Sequence, residues 1–145
     1  MNLDANPNSF IGSIPILEKM GITIESFTES SVTTKVPFEG NTNHIGTIYA
    51  GVIFSLAEFT GVPLMFPKMA NEGVIFIIRD MSIRYRRPAT TDLFVTANFT
   101  DEDAAFCKAE IAKNGKVDFL IEMEIKDTTG EVVALTKNNY HLIKM

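Results

Sequence analysis

The most apolar stretch of this chain lies near its middle, and segments of alternating character lie on both sides of it. Residues 48–62 are apolar at almost every position, which predicts a helix that is buried all round. Residues 22–38 and most of the chain after residue 73 alternate apolar and polar side chains, which predicts strands. One buried helix and several antiparallel strands indicate a two-layer α+β domain. The sheet can wrap the helix because an antiparallel sheet needs only one apolar face.

Turn signals set the boundaries of the predicted elements. Strands are expected at 22–38, with a bulge or turn near 27–30, and at 74–87, 93–100, 105–113, 117–126 and 132–144. Hairpin turns are expected at 127–130 and at 114–115, where Asn-Gly is the strongest hairpin signal in the chain. Pro63 and Pro67 should end or kink the helix. Residues 1–20 are expected to form a loose lead-in and a short helix that stops at Gly21.

Composition limits the kinds of binding partner and the cellular compartment that we expect for this protein. The 145 residues predict one domain, and their formal net charge of −5 argues against nucleic acid as the main partner. A single cysteine, Cys107, excludes an internal disulfide. His44 and His141 are far apart in sequence, so we expect no metal site. No secretory signal is evident and no apolar run is expected to span a bilayer, so we expect a cytoplasmic protein without a membrane partner.

One carboxylate interrupts the apolar helix. Glu58 has Phe54, Ser55, Gly61 and Val62 as its neighbours at helical spacing, so no cation lies within one turn of it. Burying an unpaired carboxylate is costly, and buried carboxylates of this kind are often functional. Glu58 is therefore the leading candidate for a catalytic residue, and an ion pair with a distant arginine is the structural alternative.

The residues around this helix resemble the signature of hotdog-fold acyl-CoA thioesterases of the phenylacetate-pathway and hydroxybenzoyl-CoA type. The matching motif is Asn43-x-x-Gly46-x-x-Tyr49-Ala50-Gly51, followed by Leu56-Ala57-Glu58. The segment that ends in Pro88-Ala89 is similar to the long central strand of that family. The resemblance implies an antiparallel sheet wrapped around one long central helix, in a single domain over 1–145. It also implies a homodimer or tetramer with its site between subunits.

Two positions depart from the family's pattern, in which the loop reads Asn-x-x-Gly-x-x-His-Gly-Gly. Tyr49 replaces the histidine, and Ala50 replaces the first glycine of the pair. The histidine commonly helps to position or polarise the thioester, so Tyr49 either donates a hydrogen bond or only fills space. A polar residue that the family carries near the start of the central strand has no evident match, because Ile77 and Ile78 stand there.

The resemblance implies a role for each part of the motif. Backbone N–H groups of Ala50 and Gly51 would hold the oxyanion at the start of the helix, where the helix dipole helps. Glu58 lies roughly 10 Å further along the helix, so it would serve the neighbouring subunit's site. It would act as the general base for water or as the nucleophile, and the sequence leaves both open. Asn43 would orient water or brace the loop, and Gly46 would shape the turn.

Basic side chains near the end of the predicted central strand are the candidates for binding the leaving group. Arg84, Arg86 and Arg87 lie close together in sequence, with Arg79 upstream, in a chain that is otherwise acidic. Such a cluster suits the phosphates of coenzyme A. A solvated strand face or salt bridges between subunits would also explain these arginines.

The expected function is hydrolysis of an acyl-CoA, or of a related thioester such as one on acyl carrier protein. The acyl chain is expected among apolar side chains such as those of Phe54, Phe59 and Leu64. Coenzyme A would enter only as part of the substrate, and no separate cofactor is expected. The first alternative is a non-catalytic acyl-ligand-binding protein, which would not need Glu58. The second is a dehydratase of the same fold, against which the lack of a histidine at position 49 argues.

Overall fold

A computed structural model describes residues 8–145 of the chain. The helices are α1 (Ser9–Gly12), α2 (Pro15–Met20), α3 (Ala50–Thr60), α4 (Val62–Met69) and α5 (Asp101–Asn114), with a 3-10 turn at Ala70–Glu72. The strands are β1 (Thr23–Phe27), β2 (Ser31–Val36), β3 (Val74–Tyr85), β4 (Leu93–Asn98), β5 (Lys116–Lys126) and β6 (Val132–Lys144). Most of the predicted lead-in, residues 1–7, lies outside the described residues.

Six antiparallel strands form one sheet in the order β1-β2-β4-β5-β6-β3. The three longest strands, β5, β6 and β3, are neighbours and form one side of the sheet. Among residues 8–145, strand β3 pairs only with β6, so its other edge has no partner strand there over 12 residues. A long free edge offers unpaired backbone donors and acceptors to another strand.

Helix α3 packs against the inner face of this sheet, and the main core lies between them. Its buried apolar side chains are at most 5% exposed and belong to Val52, Ile53, Leu56, Ala57 and Phe59. The even-numbered residues of β6 from 134 to 142 are buried against the helix, as the alternation of a half-buried strand requires. The predicted arrangement, one central helix wrapped by an antiparallel sheet, is therefore observed.

One stripe along α3 is left open, which corrects the expectation of a helix buried all round. Gly51, Ser55 and Glu58 of α3 are only half-buried, as is Val62 at the start of α4, and Phe54 is 38% exposed. These positions recur at helical spacing, so they share one side of the helix. The side of the central helix that carries the Glu58 carboxylate is therefore the side that residues 8–145 leave uncovered.

The two prolines after α3 interrupt the helix without ending it. Pro63 is the second residue of α4 and Pro67 lies inside it, so helical structure continues to Met69. By length and composition, Ala50–Met69 could cross a membrane, which corrects the expectation that no apolar run is long enough. In the structure, 56% of its apolar window is buried within the protein. The segment is packed as a core helix.

Residues 101–114 form helix α5, so the strand predicted at 105–113 and the hairpin predicted at 114–115 are both wrong. The Thr100 hydroxyl accepts the Asp103 N–H at 3.1 Å, and the Asp103 carboxylate accepts the Thr100 N–H at 2.8 Å, which forms a capping box. Gly115 ends the helix at a φ of +77°. Asn-Gly suits a helix end as well as a hairpin, because both need a residue with positive φ.

The remaining turns agree better with those predicted from the sequence. The long segment 22–38 is divided into β1 and β2 by a turn near Thr28, where the Thr28 N–H donates to the carbonyl oxygen of Ser31 at 2.8 Å. The hairpin at 127–130 joins β5 to β6, and Asp127 braces it by accepting the N–H groups of Thr129 and Glu131. Helix α2 ends at Gly21 with a φ of +76°, as predicted.

Candidate active site

The loop before α3 is held in shape by Asn43. Its Oδ1 accepts the N–H groups of Ile45 at 3.0 Å and Thr47 at 3.1 Å, and its Nδ2 donates to the Thr47 hydroxyl at 2.8 Å. Gly46 completes the turn with a φ of +81°. The amide of Asn43 is occupied within its own loop, which favours the bracing role over the orientation of water.

Helix α3 begins without a side-chain cap. Tyr49 is the N-cap residue, and its carbonyl oxygen accepts the N–H of Val52 at 2.9 Å. Within residues 8–145, the N–H groups of Ala50 and Gly51 donate to no protein acceptor. Two free N–H groups at the positive end of a helix suit a developing negative charge.

Two tyrosines surround this helix start. The Tyr49 side chain is 59% exposed and lies over Gly51, where an added Cβ would approach the Tyr49 Cε1 to 2.6 Å. The Tyr85 hydroxyl donates to the carbonyl oxygen of Ala50 at 2.9 Å. Burial, with a smaller effect of Tyr49, raises the pKa of Tyr85, so this phenol stays protonated as a donor. Tyr85 was not among the predicted site residues, and its position beside the arginines was the only signal for it.

A cleft of about 290 Å³ lies between the start of α3 and the end of β3. Asn43 and Ala50 line one side of it, and Tyr85, Arg86 and Arg87 line the other. Apolar side chains of the loop and helix complete the wall. A cleft with free N–H groups nearby and cations at its rim can accept a polar, anionic molecule.

The structure divides the predicted arginine cluster. Arg84 lies on the outer face of the sheet, where it lines a separate cavity of about 550 Å³. Arg79 lies further along β3 and pairs with Asp118 at 3.1 Å. Only Arg86 and Arg87 reach the cleft. Strand alternation alone would place Arg84 and Arg86 on the same face, but β3 ends at Tyr85 and Arg86 lies beyond it, so the two side chains separate.

Arg87 is partly committed to another partner within the chain. Its guanidinium pairs with the Glu131 carboxylate at 2.9 Å, and both side chains are about half exposed. Arg86 has no ion pair among the described residues. Arg86 is therefore the cation at the cleft with the fewest competing contacts.

Glu58 has a half-buried side chain whose carboxylate makes no hydrogen bond or ion pair within the described part of the chain. Burial raises the pKa of this carboxyl above its usual range. Its Cα lies eight residues after that of Ala50, which corresponds to about 12 Å of helix rise. The two halves of the predicted site are therefore well separated within one chain.

The three apolar candidates for binding an acyl chain lie in different surroundings. Phe54 is 38% exposed and shares the open stripe with Glu58. Phe59 and Leu64 are each 1% exposed, and the Phe59 ring packs against Phe10 with centroids 6.1 Å apart. Phe59 and Leu64 therefore pack in the core, whereas Phe54 lies on the open stripe.

The remaining reactive side chains lie away from the cleft. His44 is exposed in the loop, and His141 contacts Asp118 on the outer face through its Nδ1 at 2.6 Å. Cys107 is buried in α5, and burial with a smaller contribution from Asp103 raises its pKa to about 11. Among the described residues, no group of three or more His, Cys, Asp or Glu side chains could hold a metal ion.

Comparisons with known proteins indicate the class of reaction. A protein-family model described as "Putative thioesterase (yiiD_Cterm)" matches residues 7–142. A crystal structure of a protein of unknown function from Pseudomonas aeruginosa, described as a probable thioesterase, is 30% identical in sequence. It superposes with a TM-score of 0.92 over 100% of this chain and 97% of that chain.

More distant structures share the same architecture. A protein from Shewanella oneidensis described as a "putative thioesterase" is 23% identical, with a TM-score of 0.77 over 94% of each chain. A thioesterase from Haemophilus influenzae is 16% identical, with a TM-score of 0.73 over 99% of this chain and 92% of that chain. At these identities the likeness shows the fold alone.

Proposed function

We propose that this chain, which belongs to the family described as "Putative thioesterase (yiiD_Cterm)" and is a thioester hydrolase of the hotdog fold, cleaves acyl-coenzyme A. We further propose that a second copy of the chain completes the active site. The observation that carries this proposal is the distance between the two halves of the site. The free N–H groups at the start of α3 and the unpaired Glu58 carboxylate are separated by about 12 Å of the same helix.

The free edge of β3 supports a site shared between two copies. A two-fold axis beside this edge would pair the β3 strands of two copies and extend the sheet. The open stripe of α3 would then face the partner. Each Glu58 could in this way reach the start of α3 in the other copy. The exposed apolar side chains of Ile75, Ile77 and Phe54 near the edge would become buried in the interface.

In the proposed reaction, Glu58 of one copy accepts a proton from a water molecule that attacks the thioester carbonyl carbon. The negative charge that develops on the carbonyl oxygen is held by the N–H groups of Ala50 and Gly51 of the other copy. The carbon–sulfur bond then breaks, and the thiol leaves with the proton that Glu58 had accepted. A carboxylate whose pKa is raised by burial is a stronger base for this step than an exposed one.

The cations at the cleft suggest where the leaving group lies. Arg86 would contact phosphates of coenzyme A. Arg87 would do so only if its ion pair with Glu131 opens. The exposed ring of Phe54 beside Glu58 would contact the acyl chain. An acyl carrier protein offers the same thioester without the nucleotide, so the two carriers differ mainly in their need for Arg86.

Two variants test the two halves of the site separately. Glu58→Gln removes the base, and Ala50→Pro removes one N–H of the oxyanion site at the first helical position, where proline is tolerated. The residue before it, Tyr49, already has an extended backbone that suits a following proline. Thiol release from a series of acyl-CoA chain lengths should fall about 100-fold or more in each variant.

A mixture of the two variants tests whether the site is shared. After subunit exchange, a dimer with one chain of each kind has one intact site, formed by the free N–H groups of one chain and Glu58 of the other. The mixture should recover about one quarter of the wild-type rate, because half of the dimers are mixed and each has one of two sites. No recovery in a mixture with demonstrated exchange would contradict the shared site.

The same assay decides between hydrolysis and simple binding. If the wild type binds acyl-CoA but releases no thiol above background for any chain length, the alternative of a non-catalytic binding protein is correct. A single turnover in ¹⁸O-labelled water decides whether Glu58 acts as base or as nucleophile. Direct attack by water puts the label into the acid product, whereas attack by the carboxylate puts it first into Glu58.

A further inference from the structure

The helix that carries Glu58 is broken immediately after it. Helix α3 ends at Thr60 and α4 begins at Val62, with Gly61 between them and Pro63 following. Pro63 has no N–H, so it cannot donate to the carbonyl oxygen of Phe59, which accepts the N–H of Gly61 instead. Carbonyl groups at the end of a helix need partners from elsewhere, and buried ones need them most.

Two side chains of β6 supply such partners. The Asn138 Nδ2 donates to the carbonyl oxygen of Ala57 at 2.9 Å, and the Tyr140 hydroxyl donates to the carbonyl oxygen of Glu58 at 2.7 Å. Both residues lie on the inner face of the sheet and are at most 1% exposed. Asn138 Nδ2 also contacts the Tyr140 hydroxyl at 3.1 Å, so the two side chains hold each other in place.

Gly61 makes room for the Tyr140 hydroxyl. A Cβ at position 61 would lie 2.7 Å from that oxygen and 2.8 Å from the ring carbon that bears it. The φ of Gly61 is −73°, which any residue can adopt, so glycine is not needed here for the backbone. Glycine at this position therefore serves close approach of the tyrosine to the helix.

We infer that Tyr140, supported by Asn138 and admitted by Gly61, is the positioning residue for the Glu58 carboxylate. The hydrogen bond to the backbone of Glu58 fixes its Cα relative to the sheet, at the point where a broken helix would otherwise be free to shift. Tyr140 is too deeply buried to touch a substrate, so it acts only through Glu58. This inference rests on the proposed catalytic role of Glu58.

Tyr140→Phe tests the inference, because it keeps the ring and removes the donor. A misplaced base should lower kcat about 10-fold or more, with little change in KM. The matched control is Thr34→Val, which removes a buried 2.6 Å hydrogen bond between the same sheet and Thr60 of the same helix. The Thr60 hydroxyl keeps its hydrogen bond to the carbonyl oxygen of Leu56, so this variant should be less stable but removes no hydrogen bond from a backbone carbonyl of α3. Its kcat should stay within about twofold of the wild type.

A double-variant cycle and a spectroscopic titration separate positioning from a structural effect. In a Glu58→Gln background, Tyr140→Phe should cause no further loss of the residual rate. Independently of activity, the pKa of the Glu58 carboxyl followed by NMR should change in Tyr140→Phe and stay unchanged in Thr34→Val. The inference is overturned if Tyr140→Phe leaves both kcat and this pKa as in the wild type, or if the two losses of rate simply add. Full activity of Glu58→Gln would instead overturn the proposed function, and the titration would still report on the contact.

Discussion

The hydroxyl of Tyr85 donates a hydrogen bond of 2.9 Å to the carbonyl oxygen of Ala50, which joins the last residue of the edge strand to the first turn of the central helix. The two residues lie 35 positions apart in sequence. A second hydrogen bond nearby, from the Ile48 N–H to the carbonyl oxygen of Ala89 at 2.9 Å, joins the same two regions. Because the free N–H groups of Ala50 and Gly51 belong to the same turn, the Tyr85 bond also fixes their direction. The Tyr85 hydrogen bond thus joins strand β3, whose edge is expected to pair with a second copy, to the proposed oxyanion site.

Tyr85→Phe should therefore weaken catalysis as well as the fold. Loss of one hydrogen bond should lower kcat/KM about fivefold and reduce the free energy of unfolding by about 1 kcal/mol. Steady-state kinetics and chemical denaturation measure the two effects. Thr96→Val is the control, since it removes the 2.7 Å Thr33–Thr96 hydroxyl contact on the outer face of the sheet. A similar loss of kcat/KM in both variants would contradict the role of Tyr85.

Glu58→Gln should stabilise the protein near neutral pH. Burial raises the pKa of Glu58 in the folded state above its value of 4.5 in the unfolded chain, so the folded state disfavours the ionised form. The stability of the wild type is therefore fully present below pH 4.5 and falls as the pH rises through the raised pKa. The neutral variant does not titrate. Its melting temperature should exceed that of the wild type at pH 7, and the difference should disappear below pH 4.5.

The control for this titration is Glu122→Gln. The Glu122 side chain lies on the outer face, is 65% exposed and pairs with Lys137 at 3.8 Å. Loss of such an exposed pair should change the melting temperature little. A Glu58→Gln variant that is less stable than the wild type at pH 7 would mean that the carboxylate has a stabilising partner.

Arg86 and Arg84 should differ in their effect on substrate binding. Arg86 lines the cleft, whereas Arg84 lines the cavity on the opposite face. Arg86→Ala should raise KM for acyl-CoA about 10-fold through loss of a charged hydrogen bond to phosphate, and Arg84→Ala should raise it less. A truncated acyl-pantetheine substrate lacks the nucleotide, so Arg86→Ala should barely change its KM. Equal effects on both substrates would exclude the phosphate contact.

Thr100→Ala should destabilise the protein without affecting the chemistry. The change removes the capping box of α5, which should cost about 1 kcal/mol. Denaturant unfolding measures this loss, and the thiol-release assay should show an unchanged kcat. A neutral effect on stability would argue that α5 is held by its packing alone and that its cap contributes little.

The sequence alone determined the parts of this protein that depend on local pattern. The apolar run at 48–62 indicated the central helix, the alternation indicated most strands, and the motif from Asn43 to Glu58 led to the thioesterase family. Local pattern failed at residues 105–114, because Asn-Gly satisfies both a hairpin and a helix end, and the capping box at Thr100 was not recognised. Local pattern also left the surroundings of Phe59 open, because an apolar side chain fits a core and an acyl pocket equally, and the structure buries it in the core.

Tertiary structure decided which of the candidate residues meet. Arg84 and Arg86 are two positions apart, but the end of β3 sends them to different cavities. Tyr85 and Tyr140 make contacts to α3 from 35 and 82 residues away, and no spacing rule predicts hydrogen bonds of that range. Burial raised the pKa of Glu58, and burial is a property of the packed molecule. Side-chain identity sets what chemistry is available, and long-range packing sets which groups are brought within hydrogen-bond distance.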